Sequence, residues 1–167
     1  MKYEDNVRRI IDSFKLNLDG AHGPNHWGRV HAIGTYLCER TPGSDLKVAN
    51  LFALLHDCCR VGEHMDAAHG SRAVTRELAN NTWGLTEFQH DMLTTAICSH
   101  TSAGPTTNPI IGVCYDSDRL DLLRVGINPH NDFLSTEAAK DQSFQRMCNN
   151  NARDNRRPDI VNTWLGY

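Results

Sequence analysis

The 167 residues carry a formal net charge of −3, with 40% hydrophobic and 22% charged side chains, the balance of an ordinary globular chain rather than a disordered or fibrous one. Without a Lys/Arg run the chain lacks the footprint of a dedicated nucleic-acid binder, so a small ligand is expected. No apolar stretch approaches the ~20 residues needed to span a bilayer. The length predicts one domain over residues 1–167. The opening Met1-Lys-Tyr-Glu-Asp5 leads into no apolar signal core, from which a cytoplasmic location is expected.

Six cysteines include the adjacent Cys58 and Cys59 and no C-x-x-C, so reduced thiols are expected, with Cys38, Cys98, Cys114 and Cys148 as small core residues. Asn80-Asn-Thr82 fits a glycosylation acceptor pattern, which carries no weight in the cytoplasm. Nine histidines are the compositional feature to be explained.

In chain order, Val7, Ile10, Ile11 and Phe14 predict an amphipathic helix over about Glu4 to Leu18. Gly20 to Pro24 break it. A second helix is expected from the N-cap Asn25, with Trp27, Val30, Ile33 and Leu37 at helical intervals and His26 facing inward from its first turn. Ser44 caps the third in this reading, a buried helix from about Asp45 marked by Val48, Leu51, Phe52 and Leu55. Its last turn carries His56 and Asp57. An imidazole and a carboxylate at the end of so apolar a segment are costly to desolvate unless compensated, and a divalent cation is the economical compensation.

Asp66 is expected to cap a helix to Leu78 with His69 in its first turn. Thr86-Glu-Phe-Gln89 has the form of a capping box, opening a helix that runs to His100. Ser102 to Pro109 is a loop. Ile110 to Arg124 predicts a helix with Asp118 embedded in the apolar row Ile111, Cys114 or Tyr115, Leu122 and Val125. After a break at Pro129 a helix is expected over Ser135 to Met147, then a solvated polar run from Asn149 to Arg157, with Trp164 and Leu165 able to dock back. The fold expectation is an all-α bundle of six or seven helices.

The polar residues on inward faces are His26, His56, Asp57 and Asp118. Two imidazoles and two carboxylates suit Mn, Mg, Fe, Co, Ni or Zn. No H-E-x-x-H, phosphate-binding glycine loop, dinucleotide fingerprint or G-x-S-x-G elbow is present, so any phosphate is left to the metal and side chains.

The ordered pattern His26, His56-Asp57, Asp118 resembles the HD superfamily of metal-dependent phosphohydrolases, with its H…HD…D signature on a helical core spanning about residues 23–124 here. It looks closest to small stand-alone HD-domain proteins, through His22-Gly-Pro-Asn-His-Trp-Gly-Arg-Val30, Leu51-Phe-Ala-Leu-Leu-His-Asp57, Asp66-Ala-Ala-His-Gly70, Ser99-His-Thr101 and Asp116-Ser-Asp-Arg-Leu-Asp121. The resemblance implies one metal, or two, and hydrolysis of a phosphate ester or anhydride of a nucleotide or other small phosphorylated metabolite. A water activated at the metal would attack phosphorus in line, with Asp57 or Glu63 taking up the proton. His69, His100, Arg29, Arg60 and Arg119 are candidates for stabilising phosphoryl charge.

Nucleotide-type members, including alarmone hydrolases, tend to carry an acid just past the pair, where this chain has Cys58-Cys-Arg60. The next acid is Glu63. With His69 and His100 the pattern lengthens to H…HD…H…H…D, resembling the dinuclear branch that holds cyclic-dinucleotide phosphodiesterases and di-iron oxygenases. Its G-Y-P segment is absent, Gly104-Pro105 being nearest. A di-iron oxygenase and a non-catalytic metal-binding sensor are the alternatives. Asp116 and Asp121 are expected to pair with Arg119 and Arg124 or to orient a ligating His. His22, His31, His64, His90 and His130 are read as surface or supporting residues, and Trp27 and Tyr115 as core. Membrane and nucleic-acid partners are not expected. The oligomeric state stays open, with a homodimer as one option.

Overall fold

The computed structural model describes residues 3–167. Among them the chain forms eight α-helices and no strand: α1 Tyr3–Ser13, α2 Pro24–Cys38, α3 Leu46–Leu55, α4 His69–Glu77, α5 Glu87–Ser99, α6 Pro109–Arg119, α7 Gln142–Arg153 and α8 Asp159–Leu165. Three 3₁₀ turns, Leu122–Val125, Asn131–Phe133 and Ala138–Lys140, fill the interval between α6 and α7. Among the described residues no helix is long and apolar enough to cross a membrane. The all-α expectation is met, and α8 is the element the polar tail concealed.

α3 is the hub. Its residues Leu51, Phe52, Ala53, Leu54 and Leu55 are all buried, and it packs against α2, α5 and α6. The main core gathers Trp27, Phe52, Leu54, Leu55, Ile97 and Tyr115. A second cluster behind α2 joins Leu37, Val113, Leu120, Phe144 and Cys148. Trp27 and Tyr115 are therefore core, as expected. All six cysteines are free. Cys98, expected in the core, is exposed instead.

Several helix ends differ from the sequence expectation for local reasons. α1 stops at Ser13, where the Ser13 hydroxyl donates to the Ile10 carbonyl and ends the turn. α2 starts at Pro24 with Gly23 as N-cap, so Asn25 lies inside the helix and accepts from Arg157. A Cβ on Gly23 would lie 2.3 Å from the Leu18 carbonyl oxygen, so only glycine fits there. Asp45 rather than Ser44 caps α3, one oxygen accepting from Val48 N–H and the other from the Gln89 amide at 2.8 Å. Gln89 belongs to the capping box of α5, which forms as the sequence indicates. One carboxylate thus fixes the start of α3 against the start of α5.

Asp66 does not cap α4. It accepts from Val61 N–H and Arg72 and holds the preceding loop, and α4 begins at His69. α6 ends at Arg119 rather than Arg124, leaving Val125 exposed. The helix expected over Ser135 to Met147 begins at Gln142 and runs through part of the polar stretch to Arg153. Asp116 explains the late start: its carboxylate accepts Ser135 N–H, Thr136 N–H and the Thr136 hydroxyl at 2.7–2.8 Å, pinning that segment to α6.

Candidate metal centre

Six side chains from five places in the chain meet at the end of α3. His26 comes from the first turn of α2, and His56 and Asp57 from the C-terminal end of α3. His69 opens α4, His100 follows α5, and Asp118 lies near the end of α6. His26 and His56 are fully buried, Asp57 is 1% exposed, and His69, His100 and Asp118 stay below 9%.

They form two groups, each able to hold a metal ion: His26, His56 and Asp118, and Asp57, His69 and His100. In the first, His26 Nε2 is 3.0 Å from His56 Nε2 and 3.4 Å from Asp118 Oδ1. In the second, His69 Nε2 is 3.1 Å from His100 Nε2 and 3.2 Å from Asp57 Oδ1. Asp57 joins the groups, because its other oxygen, Oδ2, is 3.6 Å from His26 Nε2 and 3.7 Å from His56 Nε2.

The outer nitrogens decide what these rings can do. His56 Nδ1 lies 3.1 Å from the Phe52 carbonyl, His100 Nδ1 2.7 Å from the Ile97 carbonyl, and His69 Nδ1 against the Asp66 carbonyl. A carbonyl only accepts, so each Nδ1 carries the proton and each Nε2 presents a lone pair. His26 Nδ1 donates in the same way to Asp121 Oδ2 at 2.7 Å. Four lone pairs therefore face one another in pairs about 3 Å apart, beside two carboxylates. Lone pairs so arranged repel, and a cation placed between them removes the repulsion. The donor set fits a divalent transition metal.

The electrostatics agree. Burial pushes His56 down to about 4, and burial together with Arg124 and His56 pushes His26 well below the ordinary imidazole value. Both rings are neutral at physiological pH. Burial opposes charge on Asp57, yet the surrounding imidazoles outweigh it and hold the carboxyl well below its usual range. Asp118 is lowered likewise, against burial, by Arg124 and the imidazoles. His100 differs: burial lowers it, but its contact with Asp57 leaves it raised.

Supporting residues meet the sequence expectation in part: Asp121 pairs with Arg124 at 3.9 Å and holds His26, whereas Asp116 and Arg29 are used elsewhere. Asp121 orients His26 and takes Arg29 Nε and Nη2 at 2.7 and 3.0 Å. Arg29, a candidate for phosphoryl contact, is thus committed behind α2. Asp116 is not the partner of Arg119. That guanidinium donates to the carbonyls of Phe133 and Ala103 and lies over the Tyr115 ring. Arg60 stays at the centre, 3.4 Å from Asp57 Oδ1. Glu63 sits on His22 at 2.8 Å, with no contact to the paired groups. Arg124, which sequence patterning reduced to a partner for nearby acids, reaches Asp118 Oδ1 at 3.3 Å. Nothing in the spacing signals this, because α6 has ended and the 3₁₀ turn redirects the side chain.

A cavity of about 490 Å³ opens over Asp57, His100 and Asp118, with Arg60, Arg119 and Arg124 in its wall. No family model, curated protein or solved structure matches the chain. Fold and site define an all-helical protein with a buried His/Asp centre able to hold metal ions.

Proposed function

We propose that this chain is an HD-type metal-dependent phosphohydrolase, cleaving a phosphate ester or anhydride of a nucleotide or other small phosphorylated metabolite. The observation that carries the proposal is Asp57, one oxygen facing each paired-histidine group, at the floor of a cavity walled by three arginines. The residues His26, His56, Asp57 and Asp118, spread over 92 positions of the chain, come together in one buried cluster, which supports this reading.

A bound divalent ion supplies Lewis acidity there and lowers the pKa of water from 15.7 towards about 7. The chain's own groups do the rest. Asp121 fixes the His26 ring so that Nε2 faces inward. Arg60 and Arg124, held beside Asp57 and Asp118, bring positive charge to the cavity floor, where a phosphoryl group gathers negative charge. Asp57, ionised and with one oxygen toward each group, is placed to hold ions in both and to accept a hydrogen bond from water. The burial of the site at less than 9% exposure keeps these interactions in a medium poorer than water at screening charge.

Phosphate release from a panel of phosphoesters and nucleotides, with Mn, Mg, Fe, Co, Ni or Zn supplied in turn, tests the proposal. Turnover by wild type and not by Asp57→Ala is expected. No turnover with any metal overturns it. The doubling of the site through His69 and His100 also favours a second reading, a di-iron oxygenase. Two irons per chain as purified, with a mixed-valence EPR signal, would select that reading.

A further inference from the structure

The cavity over Asp57, Asp118 and His100 is chemically two-faced. Its deep end consists of these buried polar groups, 1%, 8% and 5% exposed. Its outer wall comes from the first two 3₁₀ turns and the segment joining them, where Val125, Ile127 and Phe133 stand 41%, 54% and 61% exposed. Large apolar side chains gathered round one cavity mouth leave surface in contact with water that a ligand can cover.

This lip is tied to the site. Gly126 takes φ +80 and reverses the chain, and Ile127 N–H donates to the Leu122 carbonyl at 3.2 Å. Arg119, one residue beyond Asp118 on α6, donates to the Phe133 carbonyl at 2.6 Å. The helix that supplies an inner carboxylate thus also sets the position of the aromatic rim.

The arginines limit how much negative charge the cavity accepts. Arg119 gives one nitrogen to Phe133 O and another to Ala103 O. Arg60 gives nitrogens to His64 O and Gly62 O, and Arg124 to Ala21 O and Asp118. Their charge reaches the cavity, but seven of their nine guanidinium nitrogens already donate to protein oxygens, and Arg124 Nη1 is left buried without a hydrogen-bond partner. That suits one phosphoryl group better than a polyphosphate chain. The volume of about 490 Å³ lies within the range of roughly 300–1,000 Å³ typical of small-ligand sites.

We infer that, given the phosphohydrolase reading, the substrate is a phosphate monoester of an apolar, ring-containing alcohol or phenol. Its phosphoryl group lies at the Asp57 end and its ring body against Phe133, Ile127 and Val125. In the reaction a water oxygen forms the new P–O bond and the ester P–O bond breaks. One water proton ends on the leaving oxygen and the other on the phosphate, so the products are the free alcohol and inorganic phosphate, with no redox partner.

The test compares 1-naphthylmethylphosphonate with methylphosphonate by isothermal titration, in metal-free and Mn²⁺-loaded protein, alongside phosphate release from 1-naphthyl phosphate and glycerol phosphate. The naphthyl ligand is expected to bind at least about tenfold tighter, and Phe133→Ala or Ile127→Ser to cut that ratio by about tenfold each. Phe88→Ala, an equally exposed aromatic on α5, leaves the ratio unchanged. Equal affinity for the two phosphonates, or a ratio indifferent to Phe133 and Ile127, overturns the subsite. Glycerol phosphate turning over as fast as naphthyl phosphate removes the subsite and leaves the hydrolase. A naphthyl preference in binding without turnover of either ester keeps the subsite and removes the hydrolase.

Discussion

Replacing Asp121 by Asn separates the metal-holding role of the centre from its contribution to the fold. Asp121 is fully buried and accepts three N–H groups: His26 Nδ1–H at 2.7 Å, Arg29 Nε at 2.7 Å and Arg29 Nη2 at 3.0 Å. A carboxylate has acceptors for all of them. An amide has one acceptor oxygen and an NH₂ that must face a donor, so either His26 loses its partner or Arg29 does. If the NH₂ meets His26, the ring proton moves to Nε2 and removes the lone pair that faces His56. Loss of such a supporting contact typically costs 10–100-fold in metal affinity, or about 1.4–2.7 kcal/mol. Leaving the buried Arg29 cation short of its counter-charge costs a further ~3 kcal/mol of stability. Arg29 is 3% exposed, so water does not make up the difference. Titration calorimetry with Mn²⁺ and thermal melting read the two effects separately. Arg29→Met combined with Asp121→Asn is expected to recover stability and not metal affinity. Wild-type affinity in Asp121→Asn, or affinity restored in the double variant, would falsify the account of His26.

Metal occupancy is expected to fall in two steps on acidification. His100 is raised above the ordinary 6.5 by Asp57, so protons compete for it as pH falls through that raised value, and the Asp57/His69/His100 group empties first. His56, at about 4, stays neutral to much lower pH and keeps the His26/His56/Asp118 group occupied. Metal content at pH 8, 6.5 and 5 checks the order. Gly70→Ala places a Cβ 2.4 Å from the Ile97 carbonyl oxygen, which is backbone and cannot swing aside. α4 must then move off α5, at a cost of about 1–3 kcal/mol and with loss of the second ion, read by melting and metal analysis. Glu77 is buried and paired with Arg9 and Arg76, which outweigh burial and lower it from 4.5. A depressed carboxylate stabilises above its unfolded pKa and loses that contribution as pH falls through the lower folded value. Glu77→Gln is expected to cost about 1–3 kcal/mol at neutral pH and to flatten the loss of stability below pH 4.5.

The inward residues were legible because a charged or polar group on an apolar helical row is an anomaly that local structure does not relieve. His26 in line with Val30 and Ile33, and Asp118 in line with Ile111 and Tyr115, are cases of this, and both are buried. Gln89 was legible as a cap because the box closes within four residues. It was not legible as the partner that selects Asp45 over Ser44, since that contact spans 44 positions. The interval between α6 and α7 defeated periodicity because Asp116 and Asp121 draw their partners from distant segments and bend the chain out of helical register. α8 was hidden because its 7 residues are too few to show a period, with only Val161 and Trp164 buried. It is held by Val161 and Trp164 docking into the core, with Val161 filling the space above Gly28, where a Cβ would come within 2.3 Å.

Anomalous scattering from a crystal grown with Mn²⁺ tests the central claim most directly. The account predicts two peaks, one among His26, His56 and Asp118 and one among His69, His100 and Asp57, with an Asp57 oxygen turned to each. Electron density showing both histidine pairs still about 3 Å apart with no anomalous peak between them would contradict it.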